Sequence, residues 1–170
     1  MAKTEFSFEV HGPLPIPTYD GEAARLIRAD EGRSFFSKYP ALAKEAGCYV
    51  FGMRTGRGIM PFYVGKAGRT FEQECFAPGK INHYNEAMVD YNRGSPVLFL
   101  VALPTRRGRR NEQAIAELED FLIQNAVARN PDLLNVQGTR APIWGIAGVV
   151  RSSAGRRSAE AEAFSRMMNL

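Results

Sequence analysis

Apolar and polar positions alternate most cleanly in two neighbouring runs. Residues 48–53 (CYVFGM) and 59–64 (IMPFYV) place aromatic and β-branched side chains at every other position, and RTGRG at 54–58 separates them. A period of two on both sides of a glycine-containing turn predicts a β-hairpin. Successive strand side chains point to opposite faces, so Tyr49 and Phe51 share one face, as do Tyr63 and Gly65. With the hairpin in register, both phenols fall on one side and Gly65 leaves backbone room beside them.

Other segments follow from the same pattern. Residues 97–103 (VLFLVAL) are continuously apolar, as expected of a strand buried on both faces. A long helix is expected from Asn111 to about Arg129, closed by Asn130-Pro131. Its apolar stripe runs through Ile115, Leu118, Leu122, Ile123 and Ala126. Glu119 falls inside that stripe, whereas Glu117 and Asp120 fall outside it. A carboxylate on an apolar face needs a cation or hydrogen bonds. A metal ion supplies the first; so does an Arg or Lys partner, which is the more frequent solution for such a helix taken alone.

Residues 5–11 alternate like a strand, and the GPLPIP stretch at 12–17 is expected to end any regular element. A short strand at 25–27 lies in an otherwise polar region. Residues 34–46 suggest a helix that restarts at Pro40, with Gly47 at its C-terminal cap. Thr70 is placed to cap a short helix over TFEQE, which Pro78-Gly79 interrupts. A second helix is expected over 80–91, with Lys80, Tyr84, Ala87, Met88 and Tyr91 on one side and His83 at its edge. Residues 133–138 (LLNVQG) predict a strand and turn. Residues 143–150 predict a strand weakened by Gly145 and Gly148, and 158–168 a terminal helix capped by Ser158. The sum is an α+β fold in one domain, with a small mixed or antiparallel sheet flanked by helices.

Composition narrows the field only a little. The 170 residues suffice for one proper core, and a formal charge of +4 with a pI near 9.3 suits a polyanionic partner. Cys48 and Cys75 form neither a disulfide framework nor a metal-ligand spacing. No run reaches transmembrane length and the N-terminus lacks a signal-like apolar core, so a cytoplasmic protein with reduced thiols and no membrane partner is expected.

Two tripeptides in the hairpin carry a resemblance. GCY at 47–49 and YVG at 63–65, followed by Lys66, the helix bearing Glu119, and Asn135, resemble the GIY-YIG nuclease superfamily. The resemblance spans residues 46–138, leaving 1–45 and 139–170 as N- and C-terminal extensions. It implies a metal-dependent endonuclease that hydrolyses phosphodiester bonds in nucleic acid, with DNA the expected partner. Glu119 is then the ligand of one divalent cation, Mg²⁺ or Mn²⁺. Tyr49 and Tyr63 are the aligned tyrosines, with Tyr63 the general base or the group that orients the attacking water. Lys66 would support the phenolate or hold a phosphate, and Asn135 would fix a phosphate or position the metal-bearing helix.

One departure from the family pattern bears on mechanism. The Arg expected in the helix after the second motif falls near Gln73, between Glu72 and Glu74. Lys80 is the replacement expected here, with Tyr84 or His83 assisting; Lys supplies a point charge where Arg supplies a planar fork. Arg106, Arg107, Arg109 and Arg110, with Arg69, are the expected nucleic-acid contacts. The alternative on the same scaffold is a catalytically degenerate module that binds nucleic acid or protein.

Overall fold

The computed structural model describes residues 6–104, 111–135, 145–150 and 157–170. The fold is α+β, with six helices and a four-stranded antiparallel sheet among the described residues. The chain divides into two compact units, Met1–Thr139 and Arg140–Leu170.

The larger unit is built on the sheet, whose strands are β1 (Glu9–Pro15), β4 (Ala46–Thr55), β5 (Gly58–Ala67) and β6 (Ser95–Leu103), in the order β1-β6-β4-β5. The expected hairpin is β4–β5. Its strands extend beyond the alternating runs and meet at Thr55 and Gly58 across a two-residue turn. In the register, Tyr49 faces Gly65 and Phe51 faces Tyr63, so all four side-chain positions lie on one face of the sheet. Cys48 faces Lys66 and Val50 faces Val64, which puts these four on the other face. The apolar 97–103 run is the heart of β6, which lies between β1 and β4 and carries buried residues on both faces.

Helices cover both faces. On the Tyr49 face lie α1 (Ala29–Lys38), α2 (Pro40–Ala43), α3 (Phe71–Glu74) and α4 (Pro78–Asp90). Their Phe35, Phe36, Phe71, Tyr84 and Met88 join Tyr49, Phe51, Leu98 and Leu100 in the main core. Helix α5 (Glu112–Arg129) covers the other face, where Ile115 packs with Cys48 and Val101, and Ile123 with Val64. Asn111 caps α5, its side chain accepting from the Ala114 N–H at 2.8 Å.

Several local expectations need correction. The Gly12-Pro13 segment does not end β1; the strand continues to Pro15 through an irregularity between His11 and Leu14 that inserts one residue against β6. Proline is tolerated there because β1 is an edge strand and the bulge needs no ladder donor. Gly47 is not a helix cap. It lies within β4 at φ +151, and a Cβ there would run into the Val101 carbonyl of β6. Thr70 precedes α3 as expected, but its hydroxyl makes no capping bond and is buried without a partner. The short strand at 25–27 is present as β3 (Arg25–Leu26), paired with β2 (Tyr19–Asp20). Within the N-terminal extension, Ile16, Ile27, Phe35 and Phe36 are all buried in the main cluster.

The smaller unit contains α6 (Ala159–Met168), capped by Ser158, whose hydroxyl accepts from the Ala161 N–H at 3.1 Å. Of the expected strand over 143–150, the described residues 145–150 form a tight turn instead. Ile146 and Val150 make an isolated antiparallel bridge, and Gly148 takes φ +73 within it. No helix among the described residues is long and apolar enough to cross a membrane.

Candidate active site

The β4–β5 hairpin sorts the candidate residues into two sets. Tyr49 and Tyr63 lie on the α4 face, and Lys66 lies on the α5 face. Helix α4 brings Lys80, His83 and Tyr84 to the first set; α5 and the segment after it bring Glu119 and Asn135 to the second.

In the first set, the Lys80 ammonium donates to the Tyr63 hydroxyl at 2.5 Å. The His83 ring stacks on Tyr63, with centroids 5.0 Å apart and planes 14° from parallel. Helical spacing explains the convergence: positions three apart lie on adjoining parts of one helix face, so one ring of β5 meets both side chains. The cation beside Tyr63 is therefore Lys80, and Lys66 is turned to the opposite face. Tyr84, one turn beyond Lys80, is fully buried. It stacks on Phe51 at 4.3 Å and donates its hydroxyl to the Cys75 carbonyl at 2.6 Å. Burial pushes its phenol well up, so Tyr84 acts as a neutral packing and anchoring group under the site.

Tyr49 is fully buried, with its ring lying across Gly65; any β-carbon at Gly65 would overlap that ring. Its hydroxyl has no hydrogen-bond partner. Burial also raises this phenol far above the ordinary range, which keeps it protonated and leaves it a donor rather than a base. Tyr49 and Tyr63 are neighbours, their centroids 6.3 Å apart.

In the second set, Glu119 accepts from the Lys66 ammonium at 2.9 Å; the carboxylate side chain is 19% exposed and the lysine 50%. The hydrogen bond and charge of Glu119 raise the Lys66 pKa. The acid in the apolar stripe thus has a lysine partner. The side chain of Asn135 makes a paired clamp on β5, with Oδ1 accepting from Val64 N–H at 2.9 Å and Nδ2 donating to Val64 C=O at 2.7 Å. Next to it, the Leu134 N–H donates to Phe62 C=O at 2.9 Å, and Asn130 donates to Pro61 C=O at 2.8 Å. Residues 130–135 therefore satisfy the outer edge of β5, which would otherwise be open.

A divalent cation suits this second set in kind. No cluster of three or more His, Cys, Asp or Glu side chains is placed for a metal among the described residues. Mg²⁺, however, is commonly held by one or two carboxylates, with water and substrate phosphate completing the shell. The partly exposed Glu119 offers one such carboxylate. The Lys66 ammonium supplies the positive charge beside that carboxylate.

Two residues that matter to this geometry were not singled out from sequence. Asn85 on α4 clamps the N-terminal segment, accepting from the Ile27 N–H at 2.8 Å and donating to the Ile27 C=O at 2.9 Å. Asn130 was read only as a helix stop. Polar amides beside apolar segments are the available signal, but their partners are distant in sequence. Arg69 is exposed and pairs with Glu74 at 3.3 Å. Arg106, Arg107, Arg109 and Arg110 lie outside the described residues, as do positions 136–138 of the expected turn.

No family model, curated protein or solved structure matches this chain.

Proposed function

We propose that this protein is a metal-dependent endonuclease of the GIY-YIG type, hydrolysing phosphodiester bonds in nucleic acid, with DNA the expected substrate. The observation that carries this reading is the contact between Lys80 Nζ and the Tyr63 hydroxyl at 2.5 Å. The same ammonium lies 5.0 Å from the centroid of the Tyr63 ring. As chemistry the contact has a purpose: a general base must present a deprotonated oxygen to take a proton from water, becoming neutral as it does so, and an ammonium is the group that pairs with a phenolate. Lys80 thus fills the place of the missing family Arg. His83, stacked on the Tyr63 ring, holds that ring in position. Tyr49 is a buried, protonated neighbour of Tyr63. Glu119 would hold one Mg²⁺ or Mn²⁺, whose chemistry is to polarise the phosphoryl oxygen and stabilise the leaving alkoxide. Asn135 fixes the β5 backbone between Tyr63 and Gly65.

One observation favours the alternative, a non-catalytic binding module: Lys66 already satisfies the Glu119 charge. Cleavage of labelled single-stranded DNA, duplex DNA and RNA with Mg²⁺ or Mn²⁺ decides between them. Metal-dependent cleavage by the parent, abolished in Glu119→Ala, supports the nuclease. Binding without cleavage on every substrate supports the module and refutes the nuclease.

A further inference from the structure

We infer that Lys66 competes with the divalent cation for Glu119, so that metal entry and release of the lysine are one exchange. The inference deepens the reading of Glu119 as the metal ligand and rests on it. Three observations lead there. The Lys66 ammonium sits at 2.9 Å from a Glu119 oxygen, in the space a cation bound to that oxygen would need. The lysine side chain is 50% exposed, so it leaves the carboxylate for water without opening the core. Glu119 is held more firmly: only 19% of its side chain is exposed, and it lies on α5, whose Ile115 and Ile123 are packed against the sheet. The acid is therefore the fixed member of the pair and the lysine the movable one.

Lys66 takes no part in the contact at the Tyr63 hydroxyl. Lys66 faces Cys48 in the register and so points away from Tyr63, whose cation is Lys80. Releasing Lys66 leaves the Lys80–Tyr63 contact in place and frees an ammonium next to the metal-bearing carboxylate, where a phosphate oxygen is its natural new partner. Before metal arrives, the ion pair keeps Glu119 from standing as an uncompensated charge in an apolar stripe. Lys66 thereby sets the metal affinity.

Mn²⁺ binding to the full chain, followed by electron paramagnetic resonance without nucleic acid, tests this apart from any activity. Lys66→Met keeps the stem and removes the charge; it should bind Mn²⁺ about fivefold more tightly, the effect of losing an ion pair of roughly 1 kcal/mol. Lys66→Arg, which keeps a competing cation, should stay within about twofold of the parent, and Glu119→Gln should lose the site. Affinity in Lys66→Met equal to or weaker than the parent overturns the competition. Mn²⁺ binding indifferent to Glu119→Gln, or no Mn²⁺ binding in any variant, overturns it as well. Cleavage by the parent is read separately: if it persists while Lys66→Met binds Mn²⁺ no more tightly, the exchange fails and the nuclease stands.

Discussion

Replacing Tyr49 by Phe should stabilise the protein while impairing the site. The Tyr49 side chain is fully buried and its hydroxyl meets no partner. Burying an unsatisfied hydroxyl costs about 1–3 kcal/mol. Removing the oxygen recovers that term and leaves a gap of a single heavy atom, whose lost contacts amount to less than about 1 kcal/mol. The ring still lies across Gly65 and against Tyr63, so packing is otherwise retained. The net expectation is a gain of about 1 kcal/mol, which for a chain of this size raises Tm by roughly 2–4 °C. Urea denaturation and a thermal melt measure it, with unchanged m values showing that the unfolded state is not the cause. A stability gain accompanied by slower cleavage identifies Tyr49 as a group held against stability for function. A loss of 1 kcal/mol or more would refute the reasoning, because it would mean that the hydroxyl has a stabilising partner in the fold.

Two further expectations follow from the same geometry. Asn135→Ala strips Val64 of both its side-chain hydrogen bonds at 2.9 and 2.7 Å and should destabilise by roughly 2–3 kcal/mol, whereas an exposed substitution such as Glu86→Ala stays within about 0.5 kcal/mol; denaturant midpoints compare them. Stability should also fall as pH rises from about 9 towards 12. A free thiol ionises near about 8.5, but burial pushes Cys48 up to about 12, and Cys75, Tyr49 and Tyr84 are displaced upward by burial too. The fold thus holds protons that the unfolded chain has released, with a slope of about 1.4 kcal/mol per pH unit for each such group. Unfolding free energies flat between pH 8 and 10.5 would contradict it.

The hairpin, the central β6 and α5 were legible in the sequence because each rests on a local period: two, none and 3.6. The face shared by Tyr49 and Tyr63 followed from alternation, and the register of Phe51 with Tyr63 agrees. What stayed illegible was set by tertiary neighbours. Gly47 after Ala46 has the local signature of a helix end, yet its φ of +151 answers to the Val101 carbonyl on a strand far away in sequence. The glycine and prolines at 12–15 read as a break because only the sheet order reveals an edge strand able to bulge. Lys66 was expected beside Tyr63 from proximity, but adjacent strand positions alternate, and an offset of three residues puts it on the other face with Glu119. The Lys80–Tyr63 contact was not readable from spacing; it depends on how α4 lies across β5.

The central claim is that Tyr63, with Lys80 at its hydroxyl, performs proton transfer in phosphodiester hydrolysis. The most direct measurement is the single-turnover cleavage rate of Tyr63→Phe against the parent, on the substrate the parent cleaves, at saturating protein. Phe keeps the ring that stacks on His83 and removes only the oxygen. The account predicts a rate lower by about a hundredfold or more with substrate affinity preserved. A rate within a few-fold of the parent would contradict it.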